Sequence, residues 1–136
     1  MNKRLLILED CPFIALDLAN LVMEFGYDVA PACHDAGTAL RAVATEKLDA
    51  ALIDYRLAEG TSEVVAAALG ARSIAFAICT GLPYEEIKAR YPEAPVLSKP
   101  YRAEEVQNVL SQLNADKDLA QPPAVGAAPR LEDWTA

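Results

Sequence analysis

Five side chains with chemical potential stand at or just beyond the ends of short apolar runs. The run "RLLILEDCP" ends in two adjacent carboxylates, Glu9 and Asp10, "AALID" ends in Asp54, "AFAICTG" reaches Thr80, and "PVLSKP" carries Lys99. Two like charges side by side repel, so Glu9 and Asp10 need something positive beside them. Hard carboxylate oxygens held close together favour a hard cation such as magnesium, which keeps several waters and takes few protein ligands. An ammonium and a hydroxyl next to such an ion can hold the oxygens of a phosphoryl group. Asp54 is then the natural nucleophile, taking the group as an acyl phosphate while the metal shields the negative charges from one another. This chemistry requires all four runs to end on the same edge of one sheet.

The pattern between these residues predicts such a sheet. Strand character recurs at Leu5–Leu8, around Tyr27–Ala32, at Ala50–Ile53, at Ile74–Ile78 and at Val96–Leu97, with helical spacing between the runs. The first helix is predicted over Pro12–Phe25, with Ile14, Leu18, Leu21, Val22 and Phe25 as one stripe and Gly26 as its stop. The second runs over about Ala36–Lys47 behind the cap Asp35, and the third over about Ser62–Leu69 behind Thr61. The fourth, Pro83–Arg90, is cut short by Tyr91–Pro92 and should be the least stable. The fifth runs from Arg102 to about Leu113 and buries Val106, Val109, Leu110 and Leu113. Five strands alternating with five helices describe an α/β fold, an open doubly wound parallel sheet covered on both faces. Ligands bind such sheets at the carboxyl ends of the strands, where the five residues fall.

The bulk composition narrows the function further. The 136 residues suit one domain, and 20 acidic against 12 basic residues leave a formal charge of -8. No broad basic face is available, which argues against nucleic acid as a partner. The apolar run after Lys3 and Arg4 ends at Glu9, too short for a signal peptide core or a membrane span, so the protein is expected to be cytoplasmic. Cys11, Cys33 and Cys79 are odd in number and widely spaced, matching neither a disulfide framework nor a zinc motif. His34, the single histidine, beside Cys33, reads as loop rather than metal site. Periodicity stops at Ala115, so residues 1–114 are expected to form the domain and 115–136, including Trp134, a flexible tail.

Together these residues resemble the receiver domains of two-component response regulators, over roughly residues 3 to 114. The resemblance implies a flavodoxin-like sheet of strand order 2-1-3-4-5 with Asp54 as phosphoacceptor. It also implies a magnesium ion bound directly by Asp10 and Asp54, through water by Glu9, and by the backbone carbonyl of Arg56. Thr80 and Lys99 would contact phosphoryl oxygens, and the Lys99–Pro100 peptide would be cis. The implied partner is a sensor histidine kinase or a histidine phosphotransfer protein. No DNA-binding module fits in residues 115–136, so the expected role is that of a single-domain response regulator. It would signal by contact with a downstream protein or drain phosphate from a shared kinase.

Three features set the sequence apart from that pattern. Receivers usually carry an aromatic residue three positions before the lysine, where this chain has Val96; Tyr101 is either packing under the fifth helix or a replacement reporter and docking residue. The stretch "AFAICTG" also resembles the P-F-x-F-A-T-G of a stand-alone bacterial receiver subgroup, matching at Phe76, Thr80 and Gly81 and departing at Ala75, Ile78 and Cys79. With it goes the expectation that the short fourth helix orders on phosphorylation. Finally, Phe13, Leu16, Ala19 and Met23 fall beside the buried stripe of the first helix, either widening it or forming a patch for the phosphodonor.

Other classes fit less well. A phosphatase of the haloacid dehalogenase type needs a second Asp two positions after its nucleophile, where this chain has Arg56. A nucleotide-binding fold needs a glycine-rich turn after the first strand, and "EDCPF" has none. An adaptor with a receiver fold that works without phosphorylation is the alternative that Val96 keeps open.

Overall fold

The computed structural model describes residues 2–119. In chain order its elements are β1 (Arg4–Leu8), α1 (Pro12–Glu24), β2 (Asp28–Val29), α2 (Ala36–Thr45), β3 (Ala50–Asp54), β4 (Arg56–Leu57), β5 (Gly60–Thr61), α3 (Glu63–Ala71), β6 (Ala75–Thr80), α4 (Tyr84–Arg90), β7 (Val96–Ser98) and α5 (Ala103–Leu119). The main sheet is parallel throughout, in the order β2-β1-β3-β6-β7. With the small antiparallel β4–β5 hairpin set aside, this is the expected order 2-1-3-4-5. Register pairs Leu8 with Ile53, Asp54 with Cys79 and Thr80 with Ser98, so the carboxyl ends of the central strands lie along one edge.

Strands buried on both faces read as continuous apolar runs, because successive side chains point to opposite sides. On one side Leu6, Leu8, Ala51, Ile53, Phe76 and Ile78 pack with Val43, Val65, Leu69 and Ile87 of α2, α3 and α4. On the other, Leu5, Ile7, Leu52, Ala77, Cys79 and Leu97 pack with Leu18, Val22, Val106, Leu110 and Leu113 of α1 and α5. Burying each Leu or Ile contributes about 1.5–3 kcal/mol, so the two layers fix the strand register that aligns the site.

Local signals explain both ends of α1 and the start of α2. Pro12 opens α1, where its missing N–H costs nothing. At the other end Gly26 takes φ +95°, its N–H bonds to Met23 C=O at 3.0 Å and the Tyr27 N–H to Val22 C=O at 3.2 Å, the paired closure that favours glycine. Asp35 caps α2 by accepting the Thr38 N–H at 2.8 Å.

Several boundaries differ from the sequence expectation. β2 is two residues, and beyond it only an isolated bridge joins Cys33 to Leu8. α3 begins at Glu63, one residue later than expected, because Gly60 and Thr61 pair with Leu57 and Arg56, so that Ser62, and not Thr61, stands at the N-cap position. In α1 the buried positions are Ala15, Leu18 and Val22, while Ile14 is 38% exposed, so the helix is turned from the expected stripe. α5 continues to Leu119, which makes the first five residues of the expected tail helical; the rest of that tail, with Trp134, lies outside the described residues. Among the described residues no helix is long and apolar enough to cross a membrane.

Candidate functional site

The ends of β1, β3, β6 and β7 deliver five polar side chains to the common edge. Glu9 and Asp10 follow β1, Asp54 and Thr80 close β3 and β6, and Lys99 follows β7. Glu9, Asp54 and Thr80 are buried, at 3%, 5% and 3% exposure, which is unusual enough for carboxylates to demand partners. Lys99 provides them: its Nζ lies 2.9 Å from Glu9 Oε1 and 2.8 Å from Asp54 Oδ1. The second Glu9 oxygen, Oε2, accepts the Cys11 N–H at 3.0 Å. Asp10 has no hydrogen bond or ion pair among the described residues.

Backbone contacts set these groups in place. Lys99 N–H donates to Thr80 C=O at 2.7 Å, joining the loop after β7 to the end of β6, and the Lys99–Pro100 peptide is cis as the resemblance implied. The Thr80 hydroxyl accepts the Leu82 N–H at 3.0 Å, leaving its own proton to donate elsewhere. Asp54, Arg56, Thr80, Gly81, Leu82 and Lys99 line a cleft of about 220 Å³.

The electrostatics follow from burial. Burial itself, then the charges of Glu9 and Asp10, raise the Asp54 carboxyl from its ordinary 3.8 to about 6, with Lys99 pulling the other way. Burial alone would lower the Lys99 ammonium, but its hydrogen bonds to Asp54 and Glu9 outweigh that and hold it above its ordinary value. Oxygens of Glu9, Asp10 and Asp54 all lie within 4.8 Å of one another. One ammonium against three carboxylates leaves a surplus of negative charge on hard oxygen donors, and this donor set fits a divalent cation such as magnesium.

The other expected residues are distributed differently. Arg56 borders the cleft, but Phe13 and Leu16 stand on the open face of α1 with 79% and 59% exposure. Tyr101 is half-buried against the α1 and α5 core layer, and its buried hydroxyl has no hydrogen-bond partner among the described residues. Val96 packs on the opposite layer.

Two connections were not legible from residue spacing. The side chain after the strand-end carboxylate, Tyr55, donates its hydroxyl to Glu63 Oε2 at 3.0 Å, and Arg90 binds the same oxygen at 3.0 Å. The Tyr55 ring meets Tyr91 edge-on at 6.2 Å, so the end of β3 is tied to both α3 and the end of α4. The second is His34, whose Nδ1 lies 2.9 Å from the Glu9 carbonyl oxygen.

No protein-family model matches the chain, and no curated protein sequence does. Solved structures do. The response regulator PhyR from Brucella abortus is 27% identical with a TM-score of 0.80, the match covering 91% of this chain and 52% of that one, about half its length. The BeF3-activated conformation of SdrG from Pseudomonas melonis Fr1 is 32% identical with a TM-score of 0.71, covering 83% of this chain and 98% of SdrG. The receiver domain of sensor histidine kinase PA1611 from Pseudomonas aeruginosa PAO1, with magnesium coordinated in its active site cleft, has a TM-score of 0.73 at 21% identity, covering 85% and 99% of the two chains. With the strand order, the edge of strand-end carboxylates and the lysine that bridges them, these matches place the chain among the receiver domains of response regulators, the family to which it belongs.

Proposed function

We propose that the protein accepts a phosphoryl group on Asp54 from the phosphohistidine of a sensor histidine kinase or a histidine phosphotransfer protein. The observation that carries this reading is the bridge from Lys99 to both Asp54 and Glu9, at 2.8 and 2.9 Å, in a cluster that still has surplus negative charge. A carboxylate oxygen of Asp54 attacks phosphorus as the phosphorus–nitrogen bond breaks, and the imidazole leaves with the bonding electron pair. Lys99 moves from Asp54 to an incoming phosphoryl oxygen, and the Thr80 hydroxyl donates to another. Asp10, Asp54 and the Arg56 carbonyl would hold a magnesium ion, with Glu9 acting through water, and the ion would supply charge neutralisation at the phosphoryl oxygens.

On this reading the protein is a signalling switch and not a turnover enzyme, and its output is contact with a further protein or drainage of phosphate from a shared donor. Phe13 and Leu16 fit the donor contact, because they are exposed at the end of α1 that follows Asp10. Titration with magnesium and beryllofluoride tests the site, since SdrG is described in a BeF3-activated conformation. Amide shifts around Asp54 and Thr80 that vanish in Asp54→Ala support the reading; no shift in the wild type overturns it. The second reading, an adaptor that needs no phosphorylation, draws on Val96 at the usual aromatic position. It predicts full partner binding by Asp54→Ala.

A further inference from the structure

The reading of Glu9 and Asp10 as a magnesium site raises the question of what holds that turn, and the following inference rests on it. β1 and the chain after β2 run as a parallel ladder past the strand ends: Cys33 N–H bonds to Ile7 C=O at 3.1 Å, and Glu9 N–H to Cys33 C=O at 3.0 Å. In a regular parallel ladder the next rung runs from the N–H two residues on, that of Asp35, to Glu9 C=O. Asp35 instead turns away to cap α2, with its own side chain on the Thr38 N–H. The rung is made by a side chain, His34 Nδ1, 2.9 Å from the Glu9 carbonyl oxygen. A carbonyl only accepts, so Nδ1 must carry the proton.

All the polar atoms of Glu9 are therefore engaged: N–H by Cys33, C=O by His34, Oε1 by Lys99 and Oε2 by the Cys11 N–H. The carbonyl that His34 holds belongs to the peptide joining Glu9 to Asp10. Fixing that plane limits the rotation that would swing Asp10 away from Asp54. We propose that His34 is a positioning residue for magnesium binding, acting through the Glu9–Asp10 peptide to hold the Asp10 carboxylate in the cluster. It is no metal ligand itself; it replaces a missing main-chain donor.

The geometry makes the test specific. An Asn amide nitrogen is as many bonds from Cα as His Nδ1 and can make the same rung, whereas the Gln amide is one bond further out. His34→Ala and His34→Gln should weaken magnesium binding about three- to tenfold in calorimetry, the expected cost of one partly solvated hydrogen bond. His34→Asn should stay within about twofold of wild type by the same accounting. All three should fold, because His34 is exposed and the β1 core is untouched. Independently, the long-range proton–nitrogen NMR spectrum of the neutral wild-type ring should show the Nδ1–H tautomer, with or without metal. An Nε2–H tautomer, an Ala variant that binds magnesium as tightly as wild type, or an Asn variant as weak as Ala overturns the proposal while the magnesium site stands. A wild type that binds no magnesium overturns the reading of the site and this inference with it. If His34→Ala does not fold, the tautomer and the comparison of Asn with Gln decide.

Discussion

Replacing Asp54 by Asn should make the metal-free protein more stable, and the gain should depend on pH in a fixed direction. The Asp54 carboxyl is raised from 3.8 to about 6, chiefly by burial and then by the nearby Glu9 charge. An acid raised on folding costs stability once ionised: the folded state holds its proton longer than the unfolded state, so stability falls as pH rises from about 4 through 6. The full gap corresponds to about 3 kcal/mol at about 1.4 kcal/mol per pH unit. Lys99 and Glu9 readjust when one charge is removed, so a gain of about 1–2 kcal/mol is expected for Asp54→Asn at pH 7.5, or roughly 5–10 °C in melting temperature for a domain of this size. Urea denaturation of both proteins in chelator, at pH 4 and pH 7.5, measures it. The two should be nearly equal at pH 4 and separate at pH 7.5, and magnesium should close the gap by stabilising the wild type alone. An equal gap at both pH values, or a less stable Asn variant at pH 7.5, refutes the electrostatic reasoning.

Other outcomes follow from the same contacts. Lys99→Met leaves Glu9 and Asp54 buried without their shared ammonium, so the metal-free protein should lose about 1–3 kcal/mol and regain part of it in magnesium; an unchanged melting temperature would mean that the pair is solvated. Leu16→Asp should slow transfer from a phosphohistidine donor, leaving phosphorylation by acetyl phosphate and the melting temperature unchanged, because the side chain is 59% exposed. Equal slowing with both donors would place its effect inside the site instead. Amide exchange in α4, a seven-residue helix whose one buried residue is Ile87, should be fast and should slow on addition of beryllofluoride. Exchange that is already slow, and insensitive to beryllofluoride, would show that this helix does not order.

The sheet and its reactive edge were readable because each central strand is a continuous apolar run that stops at a polar residue: Leu8 before Glu9, Ile53 before Asp54, Cys79 before Thr80. Period-2 burial on two faces and a closing carboxylate or hydroxyl leave little freedom in register. α1 was harder, since Phe13, Ile14 and Leu16 make it apolar beyond one stripe, and only packing decides that Ala15 faces inward while Ile14 is half out. The β4–β5 hairpin has no sequence signature, because "RLAEGT" offers two residues per strand and no alternation. α5 runs past the expected end near Leu113: "ADKDL" lacks a core stripe, yet Ala, Lys and Leu are good helix formers and carry the helix on to Leu119. The His34–Glu9 rung and the Glu63–Arg90 pair join residues far apart in the chain, and the Tyr55–Glu63 bond spans the β4–β5 hairpin, so no local spacing announces them.

The most direct measurement is intact mass after incubation with acetyl phosphate and magnesium, beside Asp54→Ala and a chelator control. The account predicts one phosphoryl adduct that requires both Asp54 and the metal. An adduct that persists in Asp54→Ala, or no adduct in a wild type shown by calorimetry to bind magnesium, would contradict it.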